Sequence, residues 1–152
     1  MHPREQGDFG ELSALEWLVG AGAHVYIPWG HSPDCDLVAD VDGRLVRVQV
    51  KTCGLFIKGR WQVALATRGG NRSWSGVVKH FSPLRADFLF AHVADGRRWF
   101  IPAERITGGT QMLLGGPKYA EFEVDPGRPF PHQTLSSGGP RWGSRAVKGD
   151  GL

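Results

Sequence analysis

The sequence lacks any apolar run that approaches the roughly 20 residues needed to span a bilayer. Its first ten residues also lack an apolar stretch behind a basic start, which is the pattern of a secretory signal. No membrane segment is therefore predicted, and we expect a cytoplasmic protein. The hydrophobic fraction of 41% and the charged fraction of 22% are ordinary for a globular chain, and 152 residues suit one domain.

Cysteine is scarce, with Cys35 and Cys53 as its only two occurrences. A single pair in a chain without an export signal is more typical of two reduced thiols than of a disulfide. A zinc site is disfavoured as well, because neither cysteine belongs to a CxxC pair that would fix ligand geometry. Disulfide scaffolds and structural zinc domains are thus disfavoured as the basis of this fold.

Acidic residues are missing from a long central stretch, and the two signs of charge separate along the chain. Residues 1–42 contain eight acids and one base, whereas residues 44–85 contain nine bases and no Asp or Glu. An acidic cluster is suited to a hard divalent cation, and an acid-free basic segment is suited to a polyanion. The alternative is a solvated surface whose charges segregate without a function.

An amphipathic helix is predicted over residues 9–19, with Asp8 able to cap its first turn. Its apolar positions at helical spacing are Leu12, Leu15 and Val19. At about 100° per residue Glu11 falls on this stripe, and an acid that faces a core needs a partner or a metal. Alternatively, Glu11 is an acid of the first turn that the helix dipole favours.

A β-hairpin is the strongest prediction, because Asp42-Gly43 separates two β-rich runs, residues 35–41 and 44–51. Counting outward from a two-residue type I′ turn places Asp36 opposite Gln49. Side chains alternate across a strand, so one face is apolar, with Leu37, Ala39, Val46 and Val48. The other face carries Asp36, Gln49 and Lys51. These polar groups converge, although Asp36 and Lys51 could also form a simple cross-strand ion pair.

The remaining elements complete an α/β fold with a mixed central β-sheet. The further predicted strands are residues 24–28, 61–67, 88–94, 97–101 and 119–124. A helical turn is expected within residues 102–106. We assign residues 1–125 to the domain and residues 126–152 to a basic tail, rich in Gly, Pro and Ser, that we expect to be poorly ordered.

The hairpin and its polar residues resemble the signature of PD-(D/E)XK nucleases. Pro33-Asp34-Cys35-Asp36, the turn and Gln49-Val50-Lys51 match its order, with Gln where the family usually has Asp or Glu. Gly10-Glu11 resembles the acidic residue that many members place on a preceding helix. The stretch from Gly7 to Thr52 looks most like the branch with an intron-encoded homing endonuclease and a Gln-x-Lys motif, and less closely like Holliday junction resolvases.

The resemblance implies a restriction-endonuclease-like core and a Mg²⁺-dependent DNA endonuclease, with Mn²⁺ as a substitute cation. The implied catalytic residues are Glu11, Asp36, Gln49 and Lys51. The implied metal ligands are Asp36, Gln49, Glu11 and the backbone carbonyl of Val50. Phosphodiester hydrolysis needs neutralisation of charge on the phosphoryl oxygens, a role that suits the ammonium group of Lys51.

The expected partner is double-stranded or branched DNA. The predicted DNA-binding residues are Lys58, Arg60, Arg68, Asn71, Arg72, Ser73, Trp74 and Lys79. Cutting both strands with a single-site domain favours a homodimer or homotetramer. Three alternatives stay open: a junction-resolving nuclease, a catalytically inactive DNA-binding module on the same fold, and a ligand-binding or interaction domain without a nucleic-acid role.

Overall fold

The chain begins with a long helix, α1, over Pro3–Gly20. The computed structural model describes residues 1–30, 35–68, 78–79 and 81–131, with backbone alone at 67–68 and 78–79. A capping box starts α1, because the His2 ring accepts from the Arg4 N–H at 3.2 Å and Glu5 accepts from the His2 N–H at 3.3 Å. The prediction that the helix starts at Phe9 is therefore wrong, because the helix starts six residues earlier, at Pro3.

A six-stranded sheet forms the centre of the molecule. Its strands, in spatial order, are β1 (His24–Tyr26), β2 (Leu37–Val41), β3 (Arg44–Cys53), β8 (Phe88–Val93), β9 (Arg98–Pro102) and β11 (Glu123–Val124). β3 and β8 are parallel and every other neighbouring pair is antiparallel. The predicted mixed central sheet and α/β class are thereby confirmed.

The β2–β3 hairpin has the predicted turn and register. Asp42 and Gly43 both have positive φ angles, 52° and 83°, as a type I′ turn requires. The paired residues run from Val41 opposite Arg44 to Leu37 opposite Val48. The ladder ends at Leu37, at the end of the hairpin away from the turn. The predicted pair of Asp36 with Gln49 is therefore not part of it, and the Asp36 N–H bonds Val48 instead.

Helix α1 covers one face of the sheet. The buried cluster beneath it contains Ala14, Leu18, Ala23, Leu37, Ala39, Val46, Val48 and Phe90. The apolar face predicted for the hairpin is thus confirmed. The predicted stripe of α1 is wrong, because Leu12 and Val19 are 65% and 55% exposed while the helix buries Gly10, Ala14 and Leu18.

A second, three-stranded sheet covers the opposite face, and the sequence did not predict it as a unit. It consists of β4 (Phe56–Ile57), β5 (Arg60–Ala64) and β10 (Gln111–Leu114), in the order β10-β5-β4. Trp61, Val63, Met112 and Leu114 pack from it against β8 and β9. β4 and β5 lie within the long connection that the parallel β3–β8 pair requires.

Shorter elements fill the rest of the described chain. β6 (Thr67–Arg68) pairs with β7 (Val78–Lys79), and a 3-10 helix at Ala103–Arg105 confirms the turn expected in residues 102–106. The strand expected at residues 119–124 is reduced to β11, after a 3-10 helix at Ala120–Phe122. In the described ranges no helix is both long and apolar enough to cross a membrane.

Candidate active site

Asp36 lies where β2 and β3 separate. Its backbone N–H donates to the Val48 oxygen at 2.9 Å, and its carboxylate accepts from the Val50 N–H at 2.7 Å. The side chain thus takes the position that a further β2 backbone group would occupy in a continuing ladder. This contact holds the carboxylate near the plane of the sheet, at its open edge.

Residues 49–51 of β3 place groups on both faces of the sheet and at its open edge. Val50 packs toward α1, so Gln49 and Lys51 face the other side of the sheet by alternation. In an extended residue the N–H and C=O point to the same side of the strand. Because the Val50 N–H points at Asp36, its carbonyl oxygen faces the same open edge.

Glu11 reaches Asp36 from α1. The helix approaches β3 closely at Gly10, where an added Cβ would overlap Thr52 Cγ2 and lie 3.2 Å from Val50 Cγ1. The neighbouring Glu11 carboxyl is within hydrogen-bonding distance of Asp36. Glu11 itself is exposed, so its predicted position on the core-facing stripe is wrong, yet it does have a partner.

The two carboxyl groups disfavour each other's negative charge. Burial raises the pKa of Glu11, and the nearby Asp36 and Asp8 carboxylates raise it further. Protonated Glu11 donates a hydrogen bond to Asp36, which also raises its pKa. A cation bound between two such carboxylates would offset their electrostatic repulsion.

Lys51 provides a positive charge beside the same carboxylate. Burial lowers the pKa of its ammonium group, and Asp36 offsets part of that effect. Lys51 is half-buried and extends from the face of β3 away from α1. Asp36 is therefore flanked by Glu11 from the helix side and by Lys51 from the other side.

The donor set fits a hard divalent cation. Mg²⁺ prefers oxygen ligands and is commonly bound by one or two carboxylates together with water and substrate phosphate. Glu11 and Asp36 are the carboxylates that could hold such a cation, and the Val50 carbonyl and the Gln49 amide are the neutral oxygens on the neighbouring residues of β3. Across the described ranges no three His, Cys, Asp or Glu residues form a group suited to a metal, so a cation here would need the neutral oxygens, water or substrate besides the two carboxylates.

Glu11→Gln tests the repulsion between the carboxyl groups. The folded-state pKa of Glu11 is raised, so its ionisation above that pKa destabilises the fold, whereas below its ordinary pKa both states are protonated. We expect the metal-free variant to melt about 1–3 °C higher than wild type at pH 7.5 and equally at pH 3.5. Calorimetric melting at both pH values, with the remote Glu104→Gln as control, measures this. An equal or lower Tm at pH 7.5 would contradict it.

Gly10→Ala tests the close approach of α1. The added methyl meets Thr52 and Val50, and overpacking of this kind costs roughly 1–3 kcal/mol. We expect lower stability and about a tenfold higher Kd for Mg²⁺, because Glu11 moves with the helix.

Gly7→Ala is the matched control for that change, since nothing lies within 4 Å of a Cβ at Gly7 on the same helix. Its free energy of unfolding should rise by about 0.5–1 kcal/mol because alanine favours the helix, and its Kd for Mg²⁺ should equal that of wild type. Denaturant unfolding and Mg²⁺ titrations of both variants provide the comparison. Indistinguishable behaviour of the two alanine variants would show that the helix is not constrained at Gly10.

The predicted DNA-binding residues are only partly described. Lys58 is exposed at the β4–β5 turn with φ 51°, and half-buried Arg60 donates to the Gly59 oxygen at 3.0 Å. For Arg68 and Lys79 the backbone alone is described. Asn71, Arg72, Ser73 and Trp74 lie outside the described residues, so the loop prediction stays a prediction.

Two buried polar residues were not singled out from the sequence. His92 is fully buried and Arg98 is 3% exposed, and both contact α1 at Ser13. Their positions within the apolar runs of β8 and β9 were the available signal, because a polar residue inside such a run is expected to have a buried partner.

Comparisons with known proteins identify the family and the fold of the chain. A family model described as PD-(D/E)XK endonuclease matches residues 1–113 of the 152. A solved structure of a bacterial homing endonuclease, I-Ssp6803I, is similar, with a TM-score of 0.63 and 23% identity over 80% of this chain and 86% of that chain. No curated protein matches the chain. At this identity the structural likeness shows the fold.

Proposed function

The chain belongs to the PD-(D/E)XK endonuclease family, and on that premise we propose that it hydrolyses DNA phosphodiester bonds with Mg²⁺, for which Mn²⁺ can substitute. The observation that carries the proposal is the meeting of Glu11, Asp36 and Lys51 at the open end of the β2–β3 ladder. Two acids with a base nearby suit a site where a cation and a phosphate are bound together.

In this proposal Asp36 is the central metal ligand, and Glu11 is the second carboxylate. The Gln49 amide oxygen and the Val50 carbonyl complete the protein donors. When bound, the cation supplies Lewis-acid polarisation of the phosphate and lowers the pKa of a water. The Val50 N–H holds Asp36 in place for this role, because it donates to one carboxylate oxygen and so fixes the orientation of the carboxylate.

Lys51 has the electrostatic role. Its ammonium group has three N–H donors and lies on the side of Asp36 away from Glu11. It can donate hydrogen bonds to the phosphoryl oxygens, where negative charge gathers in the transition state. Because the group is already partly desolvated in the folded protein, its interaction with that charge is stronger than in water.

Gln49 makes the proposed site depend more strongly on Glu11. An amide brings an oxygen ligand but no charge, whereas the family usually has a carboxylate at this position of the motif. With Asp36 as the carboxylate that the hairpin places at the open end of the β2–β3 ladder, Glu11 supplies the second negative charge for a divalent cation. The contact between Glu11 and Asp36 supports that assignment.

The proposed substrate surface is the basic segment that follows β3. Lys58 and Arg60 are the described members of the predicted set, beside Arg68, Lys79 and the loop at residues 71–74. Phosphate contacts of this kind release counterions, so DNA affinity should fall steeply with salt. Of the tail predicted over residues 126–152, residues 126–131 are described and hydrogen-bond to the β8–β9 hairpin, and residues 132–152 lie outside the described residues. We also propose that two or four copies assemble so that both strands of a duplex can be cut.

A cleavage assay tests the proposed function. The full chain is incubated with supercoiled plasmid, linear duplex and a four-way junction, in Mg²⁺, in Mn²⁺ and in a chelator. Metal-dependent nicks or breaks are expected, and sequencing the ends from a randomised library would reveal the target. Preference for the junction would favour the resolvase-like alternative. Salt-sensitive DNA binding without any cleavage would instead identify an inactive DNA-binding module.

A further inference from the structure

A short C-terminal segment lies across the end of the β8–β9 hairpin, and residues 125–131 are here called the C-terminal strap. The Gly127 N–H donates to the Gly96 oxygen at 2.8 Å, and the Phe130 N–H donates to the Ala94 oxygen at 2.9 Å. A Cβ at Gly96 would lie 2.6 Å from the Gly127 oxygen, so the strap needs glycine there. The strap follows the residues that the family model matches.

Arg98 joins the strap to α1 with one buried guanidinium group. Its Nε donates to the Asp125 oxygen at 2.7 Å, and its Nη2 donates to the Pro126 oxygen at 3.3 Å. On the helix side its Nη1 donates to the Glu16 carboxylate at 2.5 Å and to the Ser13 oxygen at 3.3 Å. A buried cation with this many partners fixes the spacing between the two segments.

His92 makes a second bridge between the same segments. Its Nδ1 lies 2.7 Å from Ser13 Oγ, and its Nε2 lies 2.9 Å from the Arg128 oxygen. Burial lowers the pKa of His92, so the ring is neutral. Since a carbonyl can only accept, Nε2–H donates to Arg128 and Nδ1 accepts from Ser13. Phe9 and Phe130 pack on the ring, with centroids at 5.1 and 5.6 Å.

We propose that the C-terminal strap, acting through His92 and Arg98, positions α1 so that Glu11 reaches Asp36. His92, Arg98 and the strap are then positioning residues for the metal-binding carboxylates, and Ser13 is their point of attachment on the helix. This inference rests on the proposed function, because it assigns the contact between the carboxylates to metal binding.

The geometry of α1 supports this role. Phe9 and Ser13 each lie two residues from Glu11, which is roughly 160° around the helix, so the bridges contact α1 on the side away from Glu11. Gly10 meets β3 at Val50 and Thr52. The helix is therefore fixed by two sets of contacts, one with β3 and one with the strap. Displacements of about 1 Å at such sites can cost on the order of 100-fold in rate.

A purely stabilising role would have a different signature. A strap that only buries surface would lower the Tm when it is damaged, but it would leave the affinity of the folded protein for a cation unchanged. A positioning strap changes that affinity in the folded state, even in the absence of DNA.

The test uses the full chain and Mn²⁺ alone as the probe, by isothermal titration calorimetry without DNA. We expect both Ser13→Ala and Phe130→Ala to raise the Kd for Mn²⁺ about tenfold, the lower range for loss of outer-shell partners. Ser13→Ala is the milder change and keeps the fold if Phe130→Ala does not. Ser13→Thr, which retains the hydroxyl, should restore wild-type affinity.

Val63→Ala is the matched control, because it damages the core on the opposite face of the sheet. It should lower the Tm without changing the Kd for Mn²⁺. If Ser13→Ala and Phe130→Ala lower the Tm but bind Mn²⁺ within twofold of wild type, the strap does not position the site and this inference is wrong. If wild type itself binds no Mn²⁺, the proposed function fails, and this inference fails with it.

Discussion

Asp36→Asn should lower kcat for DNA cleavage by about a thousandfold or more at saturating Mg²⁺. Asparagine retains an oxygen that can accept from the Val50 N–H, so the hairpin should stay intact. What it loses is the negative charge at the centre of the proposed metal site. We therefore also expect weaker Mn²⁺ binding in calorimetry, with a circular dichroism spectrum like that of wild type.

Asp42→Asn is the control for that variant. It removes one negative charge from the same hairpin, at a position with φ 52° that asparagine tolerates well. Its cleavage rate and Mn²⁺ affinity should match those of wild type. Cleavage by Asp36→Asn within tenfold of wild type would show that this carboxylate is not the central metal ligand.

Lys51→Met should separate catalysis from metal binding. We expect kcat to fall by about 100- to 1,000-fold, because the ammonium group no longer stabilises charge on the phosphate. Mn²⁺ affinity should be unchanged or higher, since a cation beside Asp36 has been removed. Single-turnover cleavage and calorimetry on the same preparation measure the two effects.

The same variant should be more stable than wild type. Burial lowers the pKa of Lys51, so folding at neutral pH disfavours its charged form, and methionine removes that cost while filling similar space. Lys118→Met, a change in the remote exposed lysine that bonds Thr107, is the control and should cleave normally. A Lys51→Met enzyme that cleaves normally would remove Lys51 from the mechanism.

Lys51→Met and Glu11→Gln share a physical basis. Each removes a charge that folding disfavours, so each should stabilise the protein at neutral pH while impairing its activity or its metal binding. Such opposition between stability and activity is typical of residues kept for function. It also distinguishes them from residues such as Ala14 or Leu18, which support only the fold.

The sequence predicted the hairpin well because local chemistry determines it. Asp42-Gly43 specifies a two-residue turn, and the turn alone sets the register of β2 and β3. Alternation then divides apolar from polar residues without any knowledge of the rest of the chain. The grouping of Asp36 with Lys51 follows from these two facts.

The buried face of α1 could not be predicted in the same way. Leu12 and Val19 are the larger apolar residues, yet the helix packs through Gly10, Ala14 and Leu18. Small residues permit the close approach of α1 to β3. Hydrophobic periodicity cannot predict such an approach, because it depends on the large apolar residues. Glu11 was therefore assigned to the site by resemblance and by an incorrect helical face, and its contact with Asp36 is the tertiary fact that supports the assignment.

Long-range pairing explains the other omissions. β10 joins β5 across a connection of more than forty residues, and no local pattern in either strand specifies that partner. The C-terminal strap has no regular structure, and its attachment depends on Arg98 and His92, whose partners are remote in sequence. Local sequence propensity cannot predict contacts between residues that are so far apart in the chain.

The central claim is that the open end of the β2–β3 ladder binds a divalent cation. Crystals of the protein grown with Mn²⁺, with data collected where manganese scatters anomalously, test it directly. The site described above predicts an anomalous peak within about 2.5 Å of the Asp36 carboxylate and the Val50 carbonyl oxygen. A peak elsewhere, with none at Asp36 in crystals of an enzyme that cleaves DNA, would contradict it.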